Sequence, residues 1–172
     1  MKSIVLVGSV LALGACHDPL GSAGTQAATT QAPPTTDPDA VAAWLAGGDY
    51  LGWHCEAEPH AARRPGAHGH NRICSNDALS AHGEGEYPVD AAAVKELYDG
   101  GGTLSGYAAY RHVAPGSDGA SWFWYERFLG QSPNAFGLGD RNAPRDVCVD
   151  CHQDAGRRSG FPGHDYVFTQ VP

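Results

Sequence analysis

The chain is short of positive charge: 11 Lys and Arg stand against 19 Asp and Glu, a formal net charge of −8. That balance argues against the basic footprint that a phosphate backbone requires, so no nucleic-acid partner is expected. Long apolar runs are scarce as well. The one at the start, residues 1–15 ("MKSIVLVGSVLALGA"), carries only Lys2 ahead of its apolar stretch and is too short to cross a bilayer as a stable helix. It reads as an export signal. No segment repeats, and 172 residues leave room for one globular unit. A second Cys-x-x-Cys is missing, which bears on the metal readings below.

The signal ends in "LGAC", an aliphatic residue and two small ones followed by Cys16. This matches the bacterial lipobox and predicts cleavage before Cys16 and lipidation of its thiol. Each buried methylene contributes about 0.8 kcal/mol, so several acyl chains would hold the protein on a membrane. Residues 16–37 are rich in Thr, Ala, Pro and Gln and nearly free of large apolar residues. They cannot bury enough surface to offset ordering entropy and read as a flexible linker. The expected organisation is a signal over 1–15, a lipidated linker over 16–37 and a folded domain over 38–172. The expected location is outside the cytoplasm, anchored on a membrane and facing the periplasm or the cell exterior.

Five cysteines are an odd number for an exported chain. Cys16 is assigned to the lipid, and Cys148 and Cys151 belong to one C-terminal motif. Cys55 and Cys74 remain, and an oxidising compartment predicts a disulfide between them.

In "TDPDAVAAWLAGG", Asp37 is an N-cap, Pro38 takes the first helical position and Gly47 and Gly48 stop the helix, with Val41, Trp44 and Leu45 on one face. The later segments "NRICSN", "AAAVKELYD", "GYAAYRHV", "SWFWYERF" and "DYVFTQV" are short and bounded by turn residues. They read as strands of a mainly β, antiparallel domain with few short helices. Composition alone leaves "AAAVKELYD" open to helix, while Pro88 before it and three glycines after it favour a strand. Alternation puts Trp122, Trp124 and Glu126 on one face and Phe123, Tyr125 and Arg127 on the other. It likewise sets Tyr107, Ala109 and Arg111 against Ala108, Tyr110 and His112.

"DVCVDCHQDAG" contains Cys-x-x-Cys-His: Cys148, Cys151, His152. Two thiols at this spacing can add to the two vinyl groups on one porphyrin edge, and the adjacent histidine then ligates the iron, so haem c is the favoured cofactor. Zinc would need two further donors, from His164, His68 or His70. A thioredoxin-like dithiol would instead open a helix after the first strand of a βαβ unit, whereas this motif sits near the end of the chain.

In order, "GEYPVDAAAVKELYD", "GYAAYRHV", "SWFWYERF", "VCVDCHQDAG" and "HDYVFTQV" resemble the cytochrome P-460 family and its relative, the β-sheet form of cytochrome c-prime. The similarity runs over about residues 50–171, and its most specific parts are the haem motif followed by Asp165–Thr169 and the upstream Val94, Lys95 and Glu96. The resemblance implies an antiparallel β-fold, often dimeric, with one haem c. His152 would be the proximal iron ligand, with the opposite face open to a small nitrogen compound. It also implies for Lys95 a covalent bond to the porphyrin, as in the hydroxylamine-oxidising members; the c-prime relatives lack the bond and bind nitric oxide without comparable turnover. The lipobox, the linker and residues 53–76 depart from that pattern.

Beside the resemblance, a solvated surface lysine is the plain reading of Lys95, while its place inside an apolar stretch, flanked by Glu96 for a local charge pair, favours a functional role. Arg72 suits a haem propionate or a surface ion pair. Glu126 is a candidate carboxylate for moving protons at a bound amine. His68 and His70, with His60, Arg63 and Arg64 nearby, line a haem edge, bind a second metal or belong to an exposed loop. Trp122, Phe123, Trp124 and Tyr125 are expected in the core, and Asp165 and Tyr166 are expected to tie the last strand to the sheet. The leading expectation is an exported, lipid-anchored haem oxidoreductase acting on hydroxylamine or nitric oxide, with a redox protein as partner and a homodimer as a possible assembly. The alternatives are a non-enzymatic haem protein that binds nitric oxide or carries electrons, and a haem-free lipoprotein stapled by a disulfide or zinc.

Overall fold

The computed structural model describes residues 31–64 and 66–172. The signal, Cys16 and the linker as far as residue 30 lie outside the described residues. The sheet follows from the alternation in the sequence. Seven antiparallel strands form it: β1 (His54–Cys55), β2 (His60–Ala61), β3 (His70–Ser75), β4 (Ala92–Tyr98), β5 (Leu104–His112), β6 (Trp122–Phe128) and β7 (Ala135–Leu138). Their order is β1-β3-β4-β5-β6-β7, with β2 also paired to β3. The mainly β architecture expected from the sequence is therefore present, and the ambiguous "AAAVKELYD" is a central strand.

Both faces of the sheet are covered. On one, Val94, Ala109, Phe123 and Tyr125 pack under helix α1 (Pro38–Gly47), whose Val41 and Leu45 are buried among them. The helix begins and ends as its sequence prescribes: Asp37 accepts from the Asp39 amide at 2.9 Å, and Gly48 closes it with a left-handed φ of 74°. Ala32 is buried in the same cluster, and Arg111 donates to the Pro33 carbonyl at 2.9 Å. The packed domain thus begins several residues before the expected Pro38.

On the other face Ala93, Trp122 and Trp124 pack with Cys148, Val149, Tyr166 and Val167. A chain of short helical turns carries the C-terminal motif: α3 (Asn142–Pro144), a π-turn over Arg145–Val149 and α4 (Asp150–His152); the remaining short helix, α2 (Asp77–Ser80), precedes them in the chain between β3 and β4. Residues 165–171 do not form the expected strand. Asp165 and Tyr166 have left-handed φ values of 40° and 68°, which break extended geometry, and only an isolated bridge joins His164 to Val167. The segment is fastened by single bonds instead. Asp165 accepts from the Tyr87 amide at 3.0 Å, and Tyr166 offers its carbonyl to His152.

The Cys55–Cys74 disulfide is formed, between residues paired across β1 and β3. Its cysteines are 19 apart in sequence, a loop length for which chain-entropy arguments give about 3 kcal/mol. Urea denaturation of the Cys55→Ser/Cys74→Ser variant should show a loss of that order. An unchanged midpoint would mean that the cross-link does not constrain the unfolded chain.

Candidate functional site

Cross-strand register assembles the floor of the site. Ile73 pairs with Lys95, Lys95 with Ala108 and Ala108 with Glu126, so the four lie in one row across β3–β6. The next row of that face holds Ala93, Tyr110 and Trp124. A cavity of about 300 Å³ stands over this floor. Lys95, Glu126 and Phe128 line it from the sheet, Cys151, His152 and Phe168 from the C-terminal segment, and Arg63, Arg64 and His68 from the loop between β2 and β3. A smaller extension between His68 and Trp124 reaches Cys148. The motif residues Cys148, Cys151 and His152 therefore meet Lys95 and Glu126, which come from distant strands, at one place.

His152 is held from two directions. Its Nδ1 donates to the Tyr166 carbonyl at 2.6 Å, which leaves the Nε2 lone pair free for a metal or a proton. Trp124, Phe168 and Tyr110 surround the ring at centroid distances of 4.8, 5.0 and 5.8 Å. Burial among them pushes the imidazole's pKa down to about 3, against the opposing pull of the Tyr166 bond, so the ring stays neutral. Its accessible area is that of a cavity wall.

Cys148 and Cys151 are three residues apart on adjoining helical turns, and both thiols are free. Burial raises the Cys148 thiol to about 12 and raises Cys151 too. Both are thiols at neutral pH, unlike the stabilised thiolate of a redox-active Cys-x-x-Cys. A neutral imidazole with an open Nε2 and two uncommitted thiols one turn away are what covalent haem attachment asks of a chain, and a single axial histidine suffices for iron whose other in-plane ligands are porphyrin nitrogens. Zinc asks for more. Among the described residues no three His, Cys, Asp or Glu side chains gather as a metal site. His70 is exposed outside the cavity lining, and His164 stacks on Tyr87 at 4.6 Å.

Glu126 is buried and engaged at both oxygens: His68 Nδ1 lies 3.2 Å from Oε2, and Asn134 Nδ2 donates to Oε1 at 3.0 Å. The His68 hydrogen bond, outweighing the cost of burial, holds the carboxyl below its usual range. Glu56 fastens the loop, accepting from the Ile73 amide at 2.9 Å and meeting His60 at 2.8 Å and Arg63. His60 is thus a loop anchor and not a cavity residue.

Two expectations are corrected. Arg72 is not at the cavity: one position from Asn71 and Ile73, it points to the opposite face, where it meets Glu96 at 2.8 Å. Glu96 also accepts from Tyr50 and Tyr98, each at 2.6 Å, so it is no partner for Lys95. Side-chain alternation separates the neighbours Lys95 and Glu96 completely. The sequence did not reveal the roles of the Tyr166 carbonyl, Phe168 or Asn134: the first two stand inside the Asp165–Thr169 segment, but that they would meet His152, and that Asn134 would meet Glu126, depends on how distant segments fold back.

Lys95 is one of two lysines in the chain, the other being Lys2. Burial lowers its pKa from 10.5 to about 8. The unfolded chain therefore binds more protons between those values: the penalty for burying the ammonium is full below about pH 8 and fades as pH rises towards 10.5. In the haem-free protein, acylation of Lys95 followed by peptide mass mapping should rise through a midpoint near pH 8. A midpoint at the ordinary lysine value would show that the amine is not desolvated. No family model matches the chain, and no curated protein or solved structure is significantly similar to it.

Proposed function

We propose that this chain is a c-type haem protein, bound through Cys148, Cys151 and His152, that acts as an oxidoreductase on a small nitrogen compound of the hydroxylamine or nitric oxide class. One observation carries the reading: the Cys-x-x-Cys-His motif shares its cavity with Lys95 and Glu126. Haem bound there would supply an iron that takes up a small ligand and exchanges single electrons. The chain's own residues do the rest. Tyr166 fixes the His152 tautomer through its carbonyl, and Trp124, Tyr110 and Phe168 exclude water from the ring. Lys95 places an amine of lowered pKa in the cavity, in keeping with the porphyrin cross-link that the cytochrome P-460 resemblance implies. Glu126 adds a carboxylate on the same floor. In this reading the protein is exported, held by lipid on Cys16 and served by a redox protein that takes the electrons.

The apolar surround of His152 favours a second reading, a site that binds nitric oxide or relays electrons without turnover. Expression with cytochrome c maturation factors in an exporting host tests both. A pyridine haemochrome should report one covalent haem per chain, lost in Cys148→Ser/Cys151→Ser, and the tryptic map should lack free Lys95 if the cross-link forms. Hydroxylamine oxidation with an artificial acceptor then separates enzyme from carrier. Absence of covalent haem would leave the disulfide-stapled, haem-free lipoprotein.

A further inference from the structure

The loop over the cavity holds an uncommon residue. His68 has a left-handed φ of 70°, a conformation that costs a side-chain-bearing residue energy and is kept where surrounding structure or function demands it. Glycine precedes it at 66 and follows it at 69, yet position 68 itself carries an imidazole. Its side chain is 18 % exposed, and its Nδ1 faces Glu126 Oε2 at 3.2 Å. Glu126 is fixed in turn by Asn134. The imidazole lines both parts of the cavity, beside Lys95 and His152 in each.

This is the arrangement of an oriented base: a carboxylate holds one ring nitrogen and leaves the other to face a bound molecule. Glu126 is poorly placed for that task itself. Both of its oxygens are occupied, and its lowered pKa makes it a weak base. We propose that His68 is the group that takes and returns protons at the ligand bound in this cavity, with Glu126 as its positioning residue. In the step, an N–H or O–H bond of the ligand breaks, its proton forms the N–H bond at His68 Nε2, and the electron pair stays on the ligand. The inference rests on the haem reading above.

Cyanide association with the ferric, haem-loaded protein tests it without turnover, because hydrogen cyanide must give up its proton as the carbon binds iron. At neutral pH His68→Gly should slow association by on the order of 10²-fold, the lower range for a positioned acid–base group. Glycine adopts the backbone conformation at 68 freely, so the variant keeps the loop. His68→Gln should be as slow. In alkaline solution, where cyanide is already an anion, the variants and the parent protein should converge. Equal rates at neutral pH overturn the proposal, as does a deficit that persists in alkali, since that is a packing effect. A low-spin ferric spectrum that turns high-spin in His68→Gly would make His68 an iron ligand and overturn it as well. A haemochrome on each sample separates these results from failure of the haem reading, in which no covalent haem is found and both proposals fall.

Discussion

Everything at the cavity depends on the pairing register of β4, β5 and β6. Side chains alternate between faces, so a slip of one residue would exchange Lys95 and Glu126 for their neighbours and turn the site towards helix α1. Both faces oppose such a slip. Trp122, Trp124 and Tyr110 fill one, and Phe123, Tyr125 and Tyr107 fill the other, so displacement would force every large ring out of its packing. Gly106 adds a steric lock, since a Cβ there would lie 2.6 Å from the Arg127 carbonyl and 2.9 Å from the Phe128 Cα. Between Lys95 and Glu126 stands only Ala108, and its small side chain keeps the middle of the floor low.

The same parity separates two buried glutamates by role. Glu96, on the helix side, is surrounded by two phenols and a guanidinium that satisfy it completely, and it opens onto none of the cavities described. Such a closed network fixes packing, and removing one partner would leave a buried charge exposed to its full desolvation cost. Glu126, on the cavity side, has one partner, His68, that itself lines the space a ligand would fill, and a second, Asn134, that fixes it from outside. The two carboxylates differ in environment and not in kind.

The strands with clean alternation and the helix with a complete set of caps were legible in the sequence, because their signals are local. Cysteine parity found the Cys55–Cys74 pair for the same reason: it needed only a count. Glu96 was misjudged as a neighbour for Lys95 because proximity in sequence was given more weight than strand parity, which sends both Glu96 and Arg72 to the side opposite Lys95; of the two readings of Arg72, the ion pair is the one formed. The last segment was misread because "DYVFTQV" has a strand's composition, while the left-handed turn at Asp165 and Tyr166 is set by bonds to Tyr87 and His152. Strand β7 is short and contains Gly137, which weakens its pattern. The pairing of His68 with Glu126 had no sequence signal at all, being made by a loop that folds over the sheet.

Ala32 and Pro33 dock on the helix side of the sheet, where Pro33 is held by Arg111. The chain therefore enters the domain with the whole sheet between it and the cavity. Were the anchor proposed at Cys16 to hold the protein on a membrane, this entry point would orient the domain as well as attach it, because the cavity opens on the face of the sheet opposite the one the chain enters.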